Sequence, residues 1–251
     1  MTIAKHLFSK TLLYYLAQEF WLHYTFKFVL PRVNEITLDG LRLDVSSLSP
    51  KIRNRLRNGL YEIHEKEMCR QYLSSKDAVL EIGGAIGYIG LYCQKHLGIT
   101  EYACFEANPR TTEILKRNYT LNNLRPNVWN MALAQSDGEV ELEVGSDFWE
   151  NSIVYKKNPE RGCKTVKVSA GSLETLMRVA GIKPNVLIVD IEGAEQFIDF
   201  KAIPEEINKI IIELHPAVIG QEATYNIVSD LIQKGFKVAR EDSDTFIFIR
   251  K

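Results

Sequence analysis

Acidic and histidine side chains stand at the ends of several apolar runs in this chain. Glu106, Asp190, Glu192, Glu213 and His215 all occupy such positions. Carboxylates and imidazoles can accept protons, bind hydroxyl groups or ligate cations. If the apolar runs are strands of one parallel sheet, their carboxyl ends meet at one edge. The spacing therefore predicts that these side chains converge on a ligand site.

A glycine-rich turn follows the first of these apolar runs and reads Glu81-Ile82-Gly83-Gly84-Ala85-Ile86-Gly87. Glycine lets the backbone approach a ligand closely. The dinucleotide fingerprint GxGxxG would need glycine where Ala85 and Tyr88 stand. A carboxylate just before the turn would repel a pyrophosphate, but it suits a ligand that carries an ammonium and a sulfonium group. The turn therefore favours S-adenosylmethionine over NAD, with Glu81 and the glycines holding its methionine portion.

The next apolar run ends in Glu106, 25 residues after Glu81. A carboxylate at that place can accept both ribose hydroxyls of an adenosine. Asn108 caps the helix that begins at the following proline and is assigned to the same cofactor site. Asn130 and Ala132, along the third strand, are expected to border the adenine.

Alternating strands and helices from Asp77 onward must position these groups. Strands are predicted over 78–82, 101–106, 127–134, 139–144, 165–168, 185–191, 209–214, 236–240 and 245–250. Helices are predicted over 86–97, 109–122, 172–180, from 194 and over 221–234. This order predicts an α/β fold with a Rossmann-like, mainly parallel, seven-stranded sheet and helices on both faces. The last two strands are joined by too short a turn for a crossover, so the last strand is antiparallel.

Residues 1–75 are expected to form an N-terminal accessory region ahead of a cofactor-binding domain over 76–251. Its first part, 7–30, is aromatic but interrupted by charges, and it lacks the apolar run of about 20 residues that a membrane span needs. We expect it to pack on the main domain or on a second copy of the chain; the alternative is peripheral membrane contact. Asp39-Gly40 predicts a hairpin over 36–45, and a helix broken near Gly59 follows.

The composition bounds the function classes. The chain has 251 residues, with 31 Lys and Arg against 32 Asp and Glu. This balance argues against bulk affinity for nucleic acid. Its four cysteines show no CxxC spacing, which fits a reducing, cytoplasmic setting.

Five motifs resemble those of the FkbM family of methyltransferases. Leu80–Tyr88 resembles its DIGANIGY-type first motif, and Phe105–Pro109 its FEPNP-like second motif. Asn130–Leu133 is similar to its third region, Asp190–Glu195 matches its DxEGxE signature, and Glu213–Pro216 is similar to its closing strand.

The resemblance implies the class I methyltransferase fold, S-adenosylmethionine as cofactor, and O-methylation of a hydroxyl on a sugar, glycan or secondary metabolite. Asp190, Glu192 and His215 would then face the acceptor, with His215 or Asp190 as base. The chain departs from the family at Ala85, where asparagine is usual, and at Ile188, where lysine is usual.

These departures keep open a non-catalytic member that binds the cofactor or a partner. A NAD-dependent oxidoreductase is disfavoured by the broken glycine pattern. Asp190, Glu192 and Glu213 could form a hard-cation site, but nothing in the sequence demands a metal. Phe148-Trp149, in a long polar segment, could stack on an acceptor ring or pin the loop to the core.

Overall fold

The computed structural model describes residues 34–144 and 164–250. The aromatic segment over 7–30 and Phe148-Trp149 lie outside the described residues. No helix within the described ranges is long and apolar enough to cross a bilayer.

The N-terminal hairpin is confirmed. Strands β1 (Glu35–Leu38) and β2 (Leu41–Asp44) pair antiparallel. Asp39 and Gly40 connect them with φ angles of 48° and 74°. Two successive residues in the left-handed region characterise the tight turn that Asp-Gly favours.

The helix break is confirmed as well. Helices α1 (Pro50–Arg57) and α2 (Ile63–Tyr72) flank Gly59, whose φ is 68°. One hydrophobic cluster joins Leu43 and Met68 from this region to Val79 in the main sheet. The hairpin and both helices therefore share a core with the residues that follow position 75.

The remaining strands are, in chain order, β3 (Ala78–Ile82), β4 (Glu101–Phe105), β5 (Val128–Trp129), β6 (Ala132–Leu133), β7 (Gly138–Val144), β8 (Lys164–Gly171), β9 (Val186–Val189), β10 (Lys209–Glu213), β11 (Lys237–Asp242) and β12 (Thr245–Ile249). The remaining helices are α3 (Tyr88–His96), α4 (Pro109–Leu121), α5 (Leu173–Ala180), α6 (Pro216–Ile219) and α7 (Gln221–Gln233).

Seven strands form the main sheet in the order β5-β4-β3-β9-β10-β12-β11. Numbered along the chain, this is 3-2-1-4-5-7-6. The first five follow the order of doubly wound nucleotide-binding sheets, in which ligands bind where the order reverses. Strand β12 is antiparallel to both of its neighbours, and the other pairings are parallel. The predicted fold class is confirmed, and the switch point lies between β3 and β9.

Alternate residues of the central strands pack on opposite faces of the sheet. Val79 and Ile188 belong to the cluster that includes the hairpin. Leu80, Ile82 and Leu187 belong to a second cluster on the other face. Burial on both faces is what near-continuous apolar strands of a parallel sheet require.

The predicted strand over 127–134 is wrong as one element. The chain forms β5 in the main sheet and then β6 in a separate three-stranded sheet of order β6-β8-β7. Between them, the Asn130 side-chain amide donates to the carbonyl oxygens of Glu106 and Ala107. The carbonyl oxygens just after β4 therefore accept from a side chain, and they are not available to extend the pairing of β4 with β5. The strand predicted over 165–168 is likewise part of β8, paired antiparallel with β7.

The helix predicted from Ala194 is a pair of 3₁₀ turns, Ala194–Phe197 and Phe200–Ala202. In this segment nearby side-chain oxygens accept hydrogen bonds from backbone N–H groups. Glu195 Oε1 accepts from the backbone of Gly193, and Asp199 accepts from the backbone of Lys201 and Ala202. Such bonds compete with the α-helical ladder.

Candidate functional site

A cavity of about 300 Å³ opens at the carboxyl ends of the central strands. Five of the residues predicted for the site line it: Gly83, Glu106, Ala132, Asp190 and Glu192. Glu213, at the end of β10, also contributes to the wall. The cavity therefore lies at the topological switch point, as the order of the strands requires.

The other predicted site residues stand behind the wall: Glu81, Gly84, Gly87, Asn108, Asn130 and His215. Gly84 and Gly87 are needed for packing. A Cβ on Gly84 would lie 2.1 Å from Cys104 Sγ, and one on Gly87 would lie 2.9 Å from Leu115 Cγ. These two glycines allow the turn to pack closely against β4 and α4, and they do not line the cavity.

Glu81 departs most from its predicted role. Because side chains alternate along a strand, Glu81 points to the same face as Val79, away from the cavity, and it is 3% exposed. Burial raises the pKa of Glu81 to about 7. Its register neighbour on β9 is Ile188. The structure therefore does not bring Glu81 into contact with a ligand in the cavity.

Glu106 is held in place by backbone donors. Its Oε2 accepts from the Ala85 N–H at 2.9 Å, and its Oε1 accepts from the Asn108 N–H at 2.8 Å. Burial raises the pKa of Glu106 to about 7, and these two hydrogen bonds oppose the rise. Asn130 holds the Glu106 carbonyl from the other side. Asn108 and Asn130 thus position Glu106 without lining the cavity.

The turn after β3 is shaped by the approach of β9. A Cβ on Gly83 would lie 1.7 Å from the carbonyl oxygen of Asp190, so only glycine allows the two strand ends to come this close. Ala85 has a φ of 45°, in the left-handed region. Asparagine, usual in the FkbM family here, adopts that conformation more readily than alanine.

An acidic cluster with one histidine forms the far side of the site. Nδ1 of His215 lies 2.7 Å from Oε1 of Glu195, a carboxylate that is fully buried. Nε2 of the same ring lies 3.7 Å from Asp190 Oδ1 and 3.5 Å from Glu192 Oε2. Asp190, Glu213 and His215 each offer a ligand atom, all within 4.8 Å of one another.

The proton equilibria of this cluster are coupled. Burial raises the pKa of Asp190 well above its usual range, and the charges of Glu213 and Glu192 raise it further. Burial lowers the pKa of His215, but the hydrogen bond and charge of Glu195 outweigh this and raise it to about 9. At this pKa His215 carries a proton at pH 7 and cannot act as a base until that proton leaves.

Some wall residues come from the region before β3. Arg55, Tyr61, Glu62 and Glu65 line the cavity from α1, α2 and the link between them. Tyr61 and Glu62 lie in the link between these two helices. Glu62 has a φ of 46°, and burial raises its pKa well above the usual range. Arg55 and Glu65 could not be identified as site residues from the sequence, because charged residues on a helix face usually point into solvent.

No family model matches the chain, and no curated protein matches it. The resemblance to the FkbM family therefore rests on the motifs alone.

Three solved structures illustrate the similarities found. The ribosomal protein L11 methylase from Lactobacillus delbrueckii subsp. bulgaricus is 11% identical, with 79% of this chain and 81% of that chain covered and a TM-score of 0.43. M. jannaschii TYW2 in complex with AdoMet is 14% identical, with 89% and 90% covered and a TM-score of 0.43. A TehB-like SAM-dependent methyltransferase from Corynebacterium glutamicum is 11% identical, with 80% and 95% covered and a TM-score of 0.43. Similarity at this level leaves the function to be argued from the residues of the chain itself.

Proposed function

We propose that this chain is an S-adenosylmethionine-dependent methyltransferase. The observation that carries the proposal is the acidic composition of the cavity wall. Six carboxylates line it, namely those of Glu62, Glu65, Glu106, Asp190, Glu192 and Glu213. In their ionised form these acids repel the pyrophosphate of a dinucleotide and attract a ligand with sulfonium and ammonium groups, and the positive charges of such a ligand in turn favour the ionised form.

Glu106 is the ribose ligand in this proposal. Backbone donors from Ala85 and Asn108 fix its carboxylate beside the turn, which leaves further lone pairs for two hydroxyl groups. Ala132, together with Met131, lines the cavity next to Glu106 and would border the adenine. The backbone at Gly83 and Ala85 would contact the methionine portion.

The acceptor in the proposal is a hydroxyl on a sugar, glycan or secondary metabolite. Methyl transfer is an in-line displacement, in which alignment of the two reactants supplies much of the rate. Asp190 and Glu192 line the cavity and would orient the hydroxyl. Burial raises the pKa of Asp190, so it acts as a base only in its ionised form, which the positive charge of the bound donor favours. His215, protonated behind them, would balance their negative charge.

Calorimetry with S-adenosylmethionine and with NAD tests the cofactor. We expect binding of the methyl donor and no heat with NAD. Glu106→Gln should weaken donor binding about 10-fold or more, because hydrogen bonds to a charged group contribute roughly 1.5–3 kcal/mol each. Glu101→Gln is the matched control, since Glu101 is the exposed first residue of the same strand. No heat with the methyl donor, or equal binding by the Glu106→Ala variant, would refute the proposal.

A labelled methyl donor tests catalysis. The chain should transfer label to a fraction of a cell extract, and mass spectrometry should place the methyl group on an oxygen atom. Asp190→Asn should lose this transfer while retaining donor binding. Donor binding without transfer to any fraction would favour the non-catalytic alternative.

A further inference from the structure

One cluster in the cavity wall combines three carboxylates with a single histidine. Asp190, Glu192 and Glu213 converge on one face of His215, at the edge of the cavity. Oδ1 of Asp190 is buried and has no hydrogen-bond partner among the residues that the structure describes. Nε2 of His215 is 3.5 Å or more from the carboxylate oxygens it faces, beyond ordinary hydrogen-bond distance.

The separations between these side-chain atoms can be compared with those expected around a bound cation. Ligand atoms about 2.1 Å from a six-coordinate cation are about 3.0 Å apart at adjacent positions and about 4.2 Å apart at opposite ones. The distance of 3.7 Å from His215 Nε2 to Asp190 Oδ1 lies between these two values, so binding an ion requires the two side chains to adjust by about half an ångström. The ligand atoms of the group formed with Glu213 all lie within 4.8 Å of one another, so the three side chains must draw together slightly to bind one ion.

Glu195 supplies independent support. It lies outside the group of three ligands, its side chain is fully buried, and its Oε1 faces Nδ1 of His215 at 2.7 Å. The backbone N–H groups of Ile191 and Gly193 donate to the same oxygen and hold it there. A carboxylate on the far nitrogen of a histidine fixes the ring and leaves the near nitrogen to bind a metal.

We propose that Asp190, Glu213 and His215 bind a divalent cation at the acceptor end of the cavity. The mixed nitrogen and oxygen donors suit Mn²⁺ or Zn²⁺ better than Mg²⁺, which prefers oxygen ligands alone. The cation displaces the proton of His215 to solvent and offsets the charge of the carboxylates.

The catalytic use of the cation rests on the proposed methyl transfer. A hydroxyl bound to a cation loses its proton more easily. Because Asp190 then holds the cation, the carboxylate of Glu192, 3.5 Å from Nε2, takes the proton in its place. The oxygen then forms a bond to the methyl carbon. The carbon–sulfur bond breaks, its electron pair stays on sulfur, and S-adenosylhomocysteine leaves.

The test uses the full chain, freed of metal with a chelator, and the ions alone. Calorimetric titrations with MnCl₂, ZnCl₂ and MgCl₂ are run without S-adenosylmethionine, so their outcome is independent of the cofactor. We expect one Mn²⁺ or Zn²⁺ bound per chain, with Mg²⁺ weakest. Asp190→Asn and His215→Gln should each weaken Mn²⁺ binding at least 10-fold.

Glu195→Gln distinguishes a metal site from a group of acids. It should weaken Mn²⁺ binding about 10–100-fold although Glu195 touches no ion, because it orients His215. Glu139→Gln, on the exposed edge of β7, is the control and should bind Mn²⁺ like the parent chain. Circular dichroism confirms folding, and Glu213→Gln serves as a further ligand variant if another fails to fold. Absence of saturable binding of all three ions, or unchanged Mn²⁺ affinity in the folded ligand variants, would overturn the proposal.

Discussion

Glu81→Gln should stabilise the protein, and only above acidic pH. Burial raises the pKa of Glu81 from 4.5 to about 7, so the native state holds a proton that the unfolded chain releases between these values. The free energy of unfolding therefore falls as the pH rises through this window. A shift of about 2.5 units corresponds to roughly 3 kcal/mol at pH 8 and less than ~1 kcal/mol at pH 5. Glutamine keeps the shape of the protonated acid, so Glu81→Gln should recover most of that difference.

Urea unfolding of both proteins at pH 5 and pH 8 measures the effect. Glu174→Gln, at an exposed position in the first turn of α5, is the control and should show no such pH dependence. Ile188→Lys places a cation beside Glu81 on the neighbouring strand, so in that background Glu81→Gln should destabilise the protein. An equal gain at both pH values, or loss of donor binding in Glu81→Gln without a change in stability, would refute the buried position of this carboxylate.

Three further predictions concern the turn and its neighbour. Ala85→Asn should raise the free energy of unfolding by up to ~1 kcal/mol, because it relieves a left-handed alanine; urea unfolding measures this. Gly83→Ala should cost roughly 3 kcal/mol and abolish donor binding in calorimetry, since its Cβ would overlap the Asp190 carbonyl. Donor affinity should fall about tenfold per pH unit below 7, because Glu106 has a pKa of about 7 and must be ionised to accept both hydroxyls. Calorimetry from pH 5.5 to 8.5 measures this dependence. Glu106→Gln should make the affinity nearly independent of pH over that range.

The fold could be predicted where local chemistry is strong. Asp39-Gly40 specifies its turn through two left-handed residues, and Asn108-Pro109 begins α4 with a cap and a fixed φ. The prediction failed at 127–134, where Asn130 ends a strand by bonding to backbone groups more than 20 residues away. Periodicity within a segment carries no information about such a partner.

From the sequence, only the site residues that stand at the carboxyl ends of strands could be predicted. The topology rule placed Glu106, Asp190 and Glu192 at one edge, and all three line the cavity. The rule does not say which face of a strand a residue takes at its end, so it could not separate Glu81 from Gly83. Nor could it find Glu62, which reaches the cavity from a part of the chain that precedes the sheet.

The loss of the lysine that the FkbM family usually carries at position 188 affects folding more than chemistry. Ile188 is 3% exposed, pairs in register with Glu81, and is absent from the cavity wall. A lysine there would approach the buried carboxylate of Glu81, not the acceptor. Among the described residues no cation contributes to the pKa of Glu81, and burial favours its protonated form. Asp190 and Glu192 differ from Glu81, because they line the cavity and lie 3.7 and 3.5 Å from Nε2 of His215. Ile188 therefore lies outside the residues proposed for the reaction, and we expect its effect to fall on the environment of Glu81.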